Sequence, residues 1–335
     1  MKNHPYNSYI FKEKWINHFT TPENVTEFNY LLGPSFLKKK NSETYYNTTS
    51  SFTLQNYYKI NRASSSEGLK GKTILIFNVP DYFKINTNTA STNLKIVPVR
   101  EYIGYLIDLD KVDSFKSYLS SRFNSKKKSQ IKGYSKKLEK NFNIKYNMYF
   151  GEITKEKYDY IMECFYDLSI KSFKKKGLKN RKLIPKNFNF TKDIIYNLIV
   201  KKQACIFVVY KDAKPIGISV NYNSNNILFG DSTVYDTLYS KYNVGTIMLM
   251  KQLEWCFSNR ISTFDFSKGY FPYKKTWCNT SYHFEHHILY DTSSFKATLT
   301  AYKNIYFLKI KQFLREHPLR NYLKKIKKHL LLRKV

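Results

Sequence analysis

The feature that most constrains this chain is the order in which its hydrophobic period changes between Phe142 and Tyr290. Phe142, Ile144, Tyr146, Met148 and Phe150 alternate with Asn143, Lys145, Asn147 and Tyr149, the two-residue repeat of a half-buried strand. Over 154–176 the period becomes helical, with Tyr158, Ile161, Met162, Phe165 and Leu168 on one face and Gly177 as the stop. Pro185 opens a second helix centred on Ile194, Ile195, Leu198 and Ile199. Three strands then follow without a helix between them: 204–210 and 215–222, joined as a hairpin around 212–214, and 227–235. Next comes a helix whose residues Val244, Ile247, Met248, Leu249, Met250, Leu253, Trp255, Cys256 and Phe257 surround most of its circumference, so it is buried against a sheet. A strand over 262–266, a loop or helix over 267–277 and a strand over 281–290 complete the block. A Rossmann alternation needs a helix between successive strands. Three consecutive strands and one crossover helix instead give an α/β (α+β) domain with a mixed, mostly antiparallel sheet flanked by helices.

Upstream of this block the pattern is weaker. Residues 113–140 read as one strongly basic helix through SKKKSQIKGYSKKLEK, and 73–79 (TILIFNV) and 102–109 (YIGYLIDL) read as buried strands. Before about Lys70 the expectation is loops and short elements. A chain of 335 residues exceeds the usual single domain, and the reading is an N-terminal unit over 1–120, a working domain over 121–295 and a C-terminal segment over 296–335.

The stretch Phe264-Asp265-Phe266-Ser267-Lys268-Gly269, followed by Tyr273-Lys274 and Trp277, resembles the C-terminal module of the CelD-like acyltransferases, a GNAT group related to the Fem peptidyltransferases. The basic lead-in SKKLEK and the helix start YNVGTIML extend the resemblance to residues 120–290. It implies a GNAT fold, with the N-terminal part as a degenerate second copy. It also implies acetyl-CoA or a longer acyl-CoA as donor, no metal, and direct attack by the acceptor amine on the thioester. By that analogy strand 228–234 supplies an N–H group to the thioester carbonyl, Asp231 is the base, and Tyr270 or Tyr273 protonates the leaving thiolate. Lys274 would pair with a phosphate or an acceptor carboxylate.

Some of these assignments also have a physical case. Free N–H groups and the helix dipole at Tyr242, Asn243, Val244, Gly245 and Thr246 form a site for a pyrophosphate, which Gly245 would let approach the main chain. The competing reading of Gly245 is a glycine required by packing. Asp265 lies among apolar neighbours on a strand, which calls for a buried, partnered carboxylate that anchors the Gly269 turn or binds substrate.

The formal charge of +32 implies an anionic partner, whether nucleic acid, membrane surface or nucleotide-linked substrate. Arginine occurs only at 62, 100, 122, 181, 260, 315, 320 and 333, and this scarcity counts against sequence-specific base reading. The expected acceptor is an amine on a small molecule, amino sugar, lipid or cell-envelope glycan. An aminoacyl-tRNA donor and a non-catalytic nucleic-acid or membrane binder are the rivals. Lys303–Val335 holds 11 Lys/Arg and the single acid Glu316, with an apolar stripe at Tyr322, Leu323, Ile326 and Leu330, which reads as a docked helix or an anionic-membrane element. Four cysteines without metal spacing and a start without an apolar leader fit a cytoplasmic protein, including one peripheral to the inner face of the membrane. SSSEGLKGKT, with its strand after rather than before it, is not a P-loop, and His283, Glu285, His286 and His287 read as strand histidines and a strand acid rather than metal ligands.

Overall fold

A computed structural model describes residues 4–51, 55–87, 93–175, 177 and 180–316. In chain order the elements are α1 (Tyr9–Phe19), β1 (Val25–Thr26), β2 (Leu31–Leu32), β3 (Phe36–Lys38), β4 (Thr44–Asn47), β5 (Lys59–Ile60), β6 (Thr73–Pro80) and β7 (Leu94–Asp108). Then follow α2 (Phe115–Arg122), α3 (Ser125–Asn141), β8 (Ile144–Tyr149), α4 (Lys155–Lys175), α5 (Pro185–Val200), β9 (Ala204–Lys211), β10 (Lys214–Ser224) and β11 (Ile227–Tyr235). The last are α6 (Val244–Ser258), β12 (Thr263–Lys268), α7 (Pro272–Trp277), β13 (Thr280–Asp291) and α8 (Phe295–Glu316).

The chain forms two units, one of Met1–Pro22 with Gly104–Tyr282, the other of Glu23–Ile103 with His283–Val335. The sequence reading sets its boundaries at 120 and 295 instead. The difference arises because β7 and β13 each give residues to both units, so neither unit is a single stretch of chain.

In the first unit the strand order is β13-β7-β12-β11-β10-β9-β8. The pairs β8–β9, β9–β10, β10–β11 and β12–β7 are antiparallel and β11–β12 is parallel, with α6 as the crossover. The expected order of elements over 142–290 is therefore the observed one, and the fold is the mixed, mostly antiparallel sheet that this order requires. On one face α6 packs Val244, Ile247 and Met248 against Phe207, Val209, Ile216 and Leu138. Farther along, α6 packs Leu249, Leu253 and Cys256 with Leu228, Ile107 and Trp277. Helices α4 and α5 cover β9–β11 with Ile161, Met162, Ile195 and Leu198, all fully buried.

The second unit has the order β1-β3-β4-β6-β13-β7, with β4–β6 parallel and β1–β3, β3–β4 and β6–β13 antiparallel. Around its parallel pair this is the same succession of strand senses as in the first unit. The crossover from β4 to β6, however, holds 3-10 turns and the short strand β5 among its described residues, not a long helix. The second unit thus lacks, among the described residues, the counterpart of α6.

One local expectation is corrected. Residues 113–140 are two helices, not one: Ser114 caps α2 by accepting from Ser117 N at 3.1 Å, and Asn124 caps α3 by accepting from Lys127 N at 2.9 Å. Phe123 between them is extended and buried, its ring 4.8 Å from that of Trp277, so tertiary packing interrupts a run that local propensity would continue. The stretch read as loop or helix over 267–277 holds α7, with Pro272 at its first turn. The stripe at Tyr322, Leu323, Ile326 and Leu330 lies outside the described residues.

Candidate functional site

The site is set by how β11 is held on its two edges. Toward β10, the register runs Asn221 to Gly230 and then Val220 to Ser232, so Asp231 is the extra residue of a β-bulge. A bulge bends its strand, leaves the extra residue outside the ladder and is common beside active sites. Toward β12, the parallel ladder joins Ile227–Phe229 to Thr263–Asp265 and ends there, although β11 continues to Tyr235 and β12 to Lys268. The two strands part at the bulge, and those N–H and C=O groups of β11 beyond Phe229 that point away from β10 have no ladder partner in β12, which leaves a gap between the two strands.

At its far end β11 runs through Asp236, whose side chain caps a 3-10 turn over Thr237–Tyr242 by accepting from Leu238 N at 3.0 Å, into α6. Asn243, left-handed at φ 57°, makes the reversal and gives α6 no side-chain cap. Thr246 N and Ile247 N donate to Asn243 O at 2.9 and 3.1 Å, while Val244 N and Gly245 N belong to the first turn, where a helix has no acceptor of its own. Three lysines gather there on aromatic rings. Lys137 and Lys241 lie 5.9 and 5.3 Å from the Tyr242 ring, and Lys211 lies 4.9 and 5.9 Å from those of Phe142 and Tyr239. Cations and an uncapped helix start together favour an anion.

Of the residues the sequence reading assigned to this start, Tyr242 and Val244 have buried side chains that pack, so only their backbone can serve a ligand. Gly245 has a packing reason: a Cβ there would approach Tyr235 Cε1 at 3.1 Å. That contact supports the packing reading without removing the backbone N–H from the site.

Asp231 carries an ion pair. Lys182 Nζ lies 2.7 Å from its Oδ1 and 3.1 Å from Ser232 Oγ, and Ser232 donates to Asp231 Oδ2 at 2.9 Å. Asp265, fully buried, accepts from Tyr282 Oη at 2.8 Å with each oxygen and from Ser267 N at 2.6 Å. Lys274 is only 4% exposed and donates to the carbonyls of Phe266, Ser267 and Lys268 at 2.7, 3.2 and 2.9 Å. Its three donors are thereby engaged in shaping the end of β12 and the turn beyond it, where Ser267 (φ 59°) and Gly269 (φ 102°) are left-handed. Burial lowers the Lys274 ammonium to about 8, with Asp265 acting against that shift. The Asp265–Lys274 pair expected to bind substrate is built as a buried brace for one wall of the gap.

Tyr270 is 67% exposed. Tyr273 keeps half its ring in solvent, but burial of its hydroxyl and the nearby Cys278 push it up to about 12, so it holds its proton at neutral pH. Burial and Asp265 push the Cys278 thiol up to about 12 as well, which excludes it as a thiolate nucleophile at neutral pH.

Two residues of the site escape sequence reasoning. Tyr6, in the segment before α1, is buried with its ring 4.8 Å from that of Tyr222, and its pKa is raised by burial and then by Tyr222, Asp231 and Asp265. Lys182 lies in a basic loop that nothing in the sequence ties to Asp231. The strand histidines hold protein partners in the second unit: His287 pairs with Tyr58 Oη at 2.7 Å and Glu285 at 3.1 Å, and His286 accepts from Asn78 N at 3.1 Å. Among the described residues no cluster has a metal-binding arrangement.

Residues 125–275 match the family model of the acetyltransferase (GNAT) domain. The chain carries a GNAT-type acetyltransferase domain. Its bounds run from the start of α3 into α7 and so include the bulge, the gap and the start of α6. Among solved structures, the chain is similar to FemX (TM-score 0.52, 11% identity, 76% of this chain and 83% of that one). It is also similar to L-PGS from Bacillus licheniformis (0.50, 10%, 90% and 94%). A third is the DUF2156 C-terminal domain of an Agrobacterium fabrum protein named for lysylphosphatidylglycerol synthetase (0.50, 8%, 83% and 87%). At these identities the likeness is one of fold. No curated protein sequence matches the chain significantly.

Proposed function

We propose that the protein is an N-acyltransferase that moves an acyl group from acetyl-CoA or a longer acyl-CoA to an amine on a cell-envelope, amino-sugar or amino-lipid acceptor. The observation that carries this reading is the parting of β11 and β12 beyond Phe229 and Asp265, at a bulge and in line with the uncapped start of α6. Such a gap accepts an extended thioester arm alongside β11. The α6 N–H groups of Val244 and Gly245, with Lys137, Lys211 and Lys241, would hold the pyrophosphate end.

Within the GNAT domain the chain's own groups then have separate tasks. A β11 N–H facing the gap donates to the thioester oxygen as negative charge grows on it, a preorganised donor of the kind that contributes most to acyl transfer. Asp231, an anion held by Lys182, takes the proton released by the attacking amine. Tyr273, protonated, supplies a proton to the leaving sulfur. Asp265, Lys274 and Tyr282 position the wall on which Tyr273 stands. A donor of this class is made in the cytoplasm, and we place the reaction there.

The test is release of free CoA thiol from acetyl-, butyryl- and palmitoyl-CoA in the presence of a panel of amine acceptors. Acceptor-dependent release supports the reading. Release from none of them, with the protein folded, removes it. The rival donor, an aminoacyl-tRNA, is favoured by the charge of +32 and the lysine-rich α3, and its binding would fall steeply with salt as counterions are released.

A further inference from the structure

Helix α8 has two apolar faces, and only one is explained by the fold. Ala297, Ala301, Ile305 and Leu308 are buried in a cluster with Leu75, Val99, Ile288 and Tyr290 of the second unit. On the far side of the helix, Phe295, Leu299, Tyr302, Tyr306, Ile310 and Phe313 follow the spacing of a single helical stripe. They are exposed by 83, 61, 43, 59, 58 and 60%. A helix of 22 residues makes this stripe about 30 Å long. Monomeric proteins seldom expose apolar area so continuously.

The charges beside the stripe identify what covers it. Lys296, Lys303, Lys309 and Lys311 are exposed along its flanks, and Glu316 is the one acid of the helix. Arg315, by contrast, is turned inward to Glu101 at 2.6 Å. Residues 317–335 add seven Lys/Arg and no acid. A second copy of this face, or the basic tail folded back on it, would bring like charges together around an apolar seam. An anionic lipid surface satisfies both features at once, since the apolar stripe enters the acyl boundary while lysines meet headgroup phosphates. Tyr302 and Tyr306, stacked at 6.2 Å, have the apolar body and polar tip of residues that settle at that depth.

We infer that the outer face of α8 is a docking surface for anionic membrane, lying in the plane of the headgroups. This inference is independent of the acyltransferase reading. It concerns the second unit alone, and either can fail without the other.

The experiment is flotation of the full chain with vesicles of phosphatidylcholine alone and of phosphatidylcholine mixed with phosphatidylglycerol, at physiological salt. The comparison is a Leu299→Gln/Tyr306→Gln/Ile310→Gln variant whose far-UV circular dichroism and Tm match the parent's. The expected result is binding to the mixed vesicles only, weakened in the variant by about tenfold or more, equivalent to about 1.4 kcal/mol. A Phe313→Trp reporter should shift its emission to the blue on the same vesicles. Equal binding by parent and variant would overturn the inference by leaving attachment to the basic tail alone. Absence of parent binding, or equal binding to uncharged vesicles, would overturn it too. So would a concentration-dependent dimer that the variant abolishes, because the stripe would then belong to a second copy.

Discussion

Replacing Gly104 with alanine should loosen the wall of the gap from a distance. Gly104 lies on β7, and a Cβ there would come within 2.2 Å of Tyr282 Cζ and 2.6 Å of both Cε atoms. Carbon atoms in contact sit about 3.5–4.0 Å apart, so the ring must withdraw by more than about 1 Å. Tyr282 is buried, and its hydroxyl is the donor to both oxygens of the fully buried Asp265, so the ring cannot withdraw and keep that bond. Overpacking costs about 1–3 kcal/mol. Losing a hydrogen bond to a buried charge costs about 1.5–3 kcal/mol more. The expected destabilisation is therefore about 2.5–6 kcal/mol, measured by urea unfolding followed through tryptophan fluorescence, with Trp255 and Trp277 reporting on this unit. A double-mutant cycle isolates the cause: in a Tyr282→Ala background the space is already free, and Gly104→Ala should then cost almost nothing. The same cost in both backgrounds, or a cost under about 0.5 kcal/mol in the parent, would refute the reasoning.

Other outcomes follow from the same geometry. Lys274 has a folded pKa of about 8 against an ordinary 10.5, so the unfolded chain binds its proton where the folded chain does not, and stability should rise by up to about 3 kcal/mol between those pH values. Thermal unfolding across that window should show the rise in the parent and not in Lys274→Met. Tyr273→Phe should lower kcat by about 10²–10⁴ with little change in KM, and the parent's rate should show no Tyr273-dependent alkaline fall until near pH 12. Tyr270→Phe, at an exposed position, should leave kcat within about threefold. Asp231→Asn should lower kcat by about 10²–10⁴ with little change in KM, and Lys182→Met, which removes the cation 2.7 Å from that carboxylate, should lower it less. An unchanged kcat in Asp231→Asn would separate Asp231 from the proton transfer.

The order of the central strands and helices was legible because each has a clear period and the periods change at turn residues such as Gly151, Pro185 and Asp212. The break at Phe123–Asn124 was not, because lysine- and serine-rich sequence carries helical propensity through it. Only the capping Asn124 marks the boundary, and it becomes decisive once Phe123 finds Trp277. The site was legible in part. The motif around Asp265 and Lys274 stood out, but sequence cannot tell a lysine that binds substrate from one whose donors hold three carbonyls of its own turn. Gly245 was open between a phosphate site and a packing constraint, and the ring of Tyr235 supplies the constraint. Lys182 reaches Asp231, and Tyr6 reaches Tyr222, only through tertiary structure, with no local pattern to announce either. The bulge is a property of the register between β10 and β11, which no single strand encodes.

Calorimetric titration of the full chain with acetyl-CoA and longer acyl-CoAs asks whether the gap between β11 and β12 holds an acyl-CoA. Saturable binding is expected, weakened at least about tenfold in a Lys137→Gln/Lys211→Gln/Lys241→Gln variant, since each removed cation contributes to holding the pyrophosphate. No heat with any acyl-CoA, or binding indifferent to those three lysines, would contradict it.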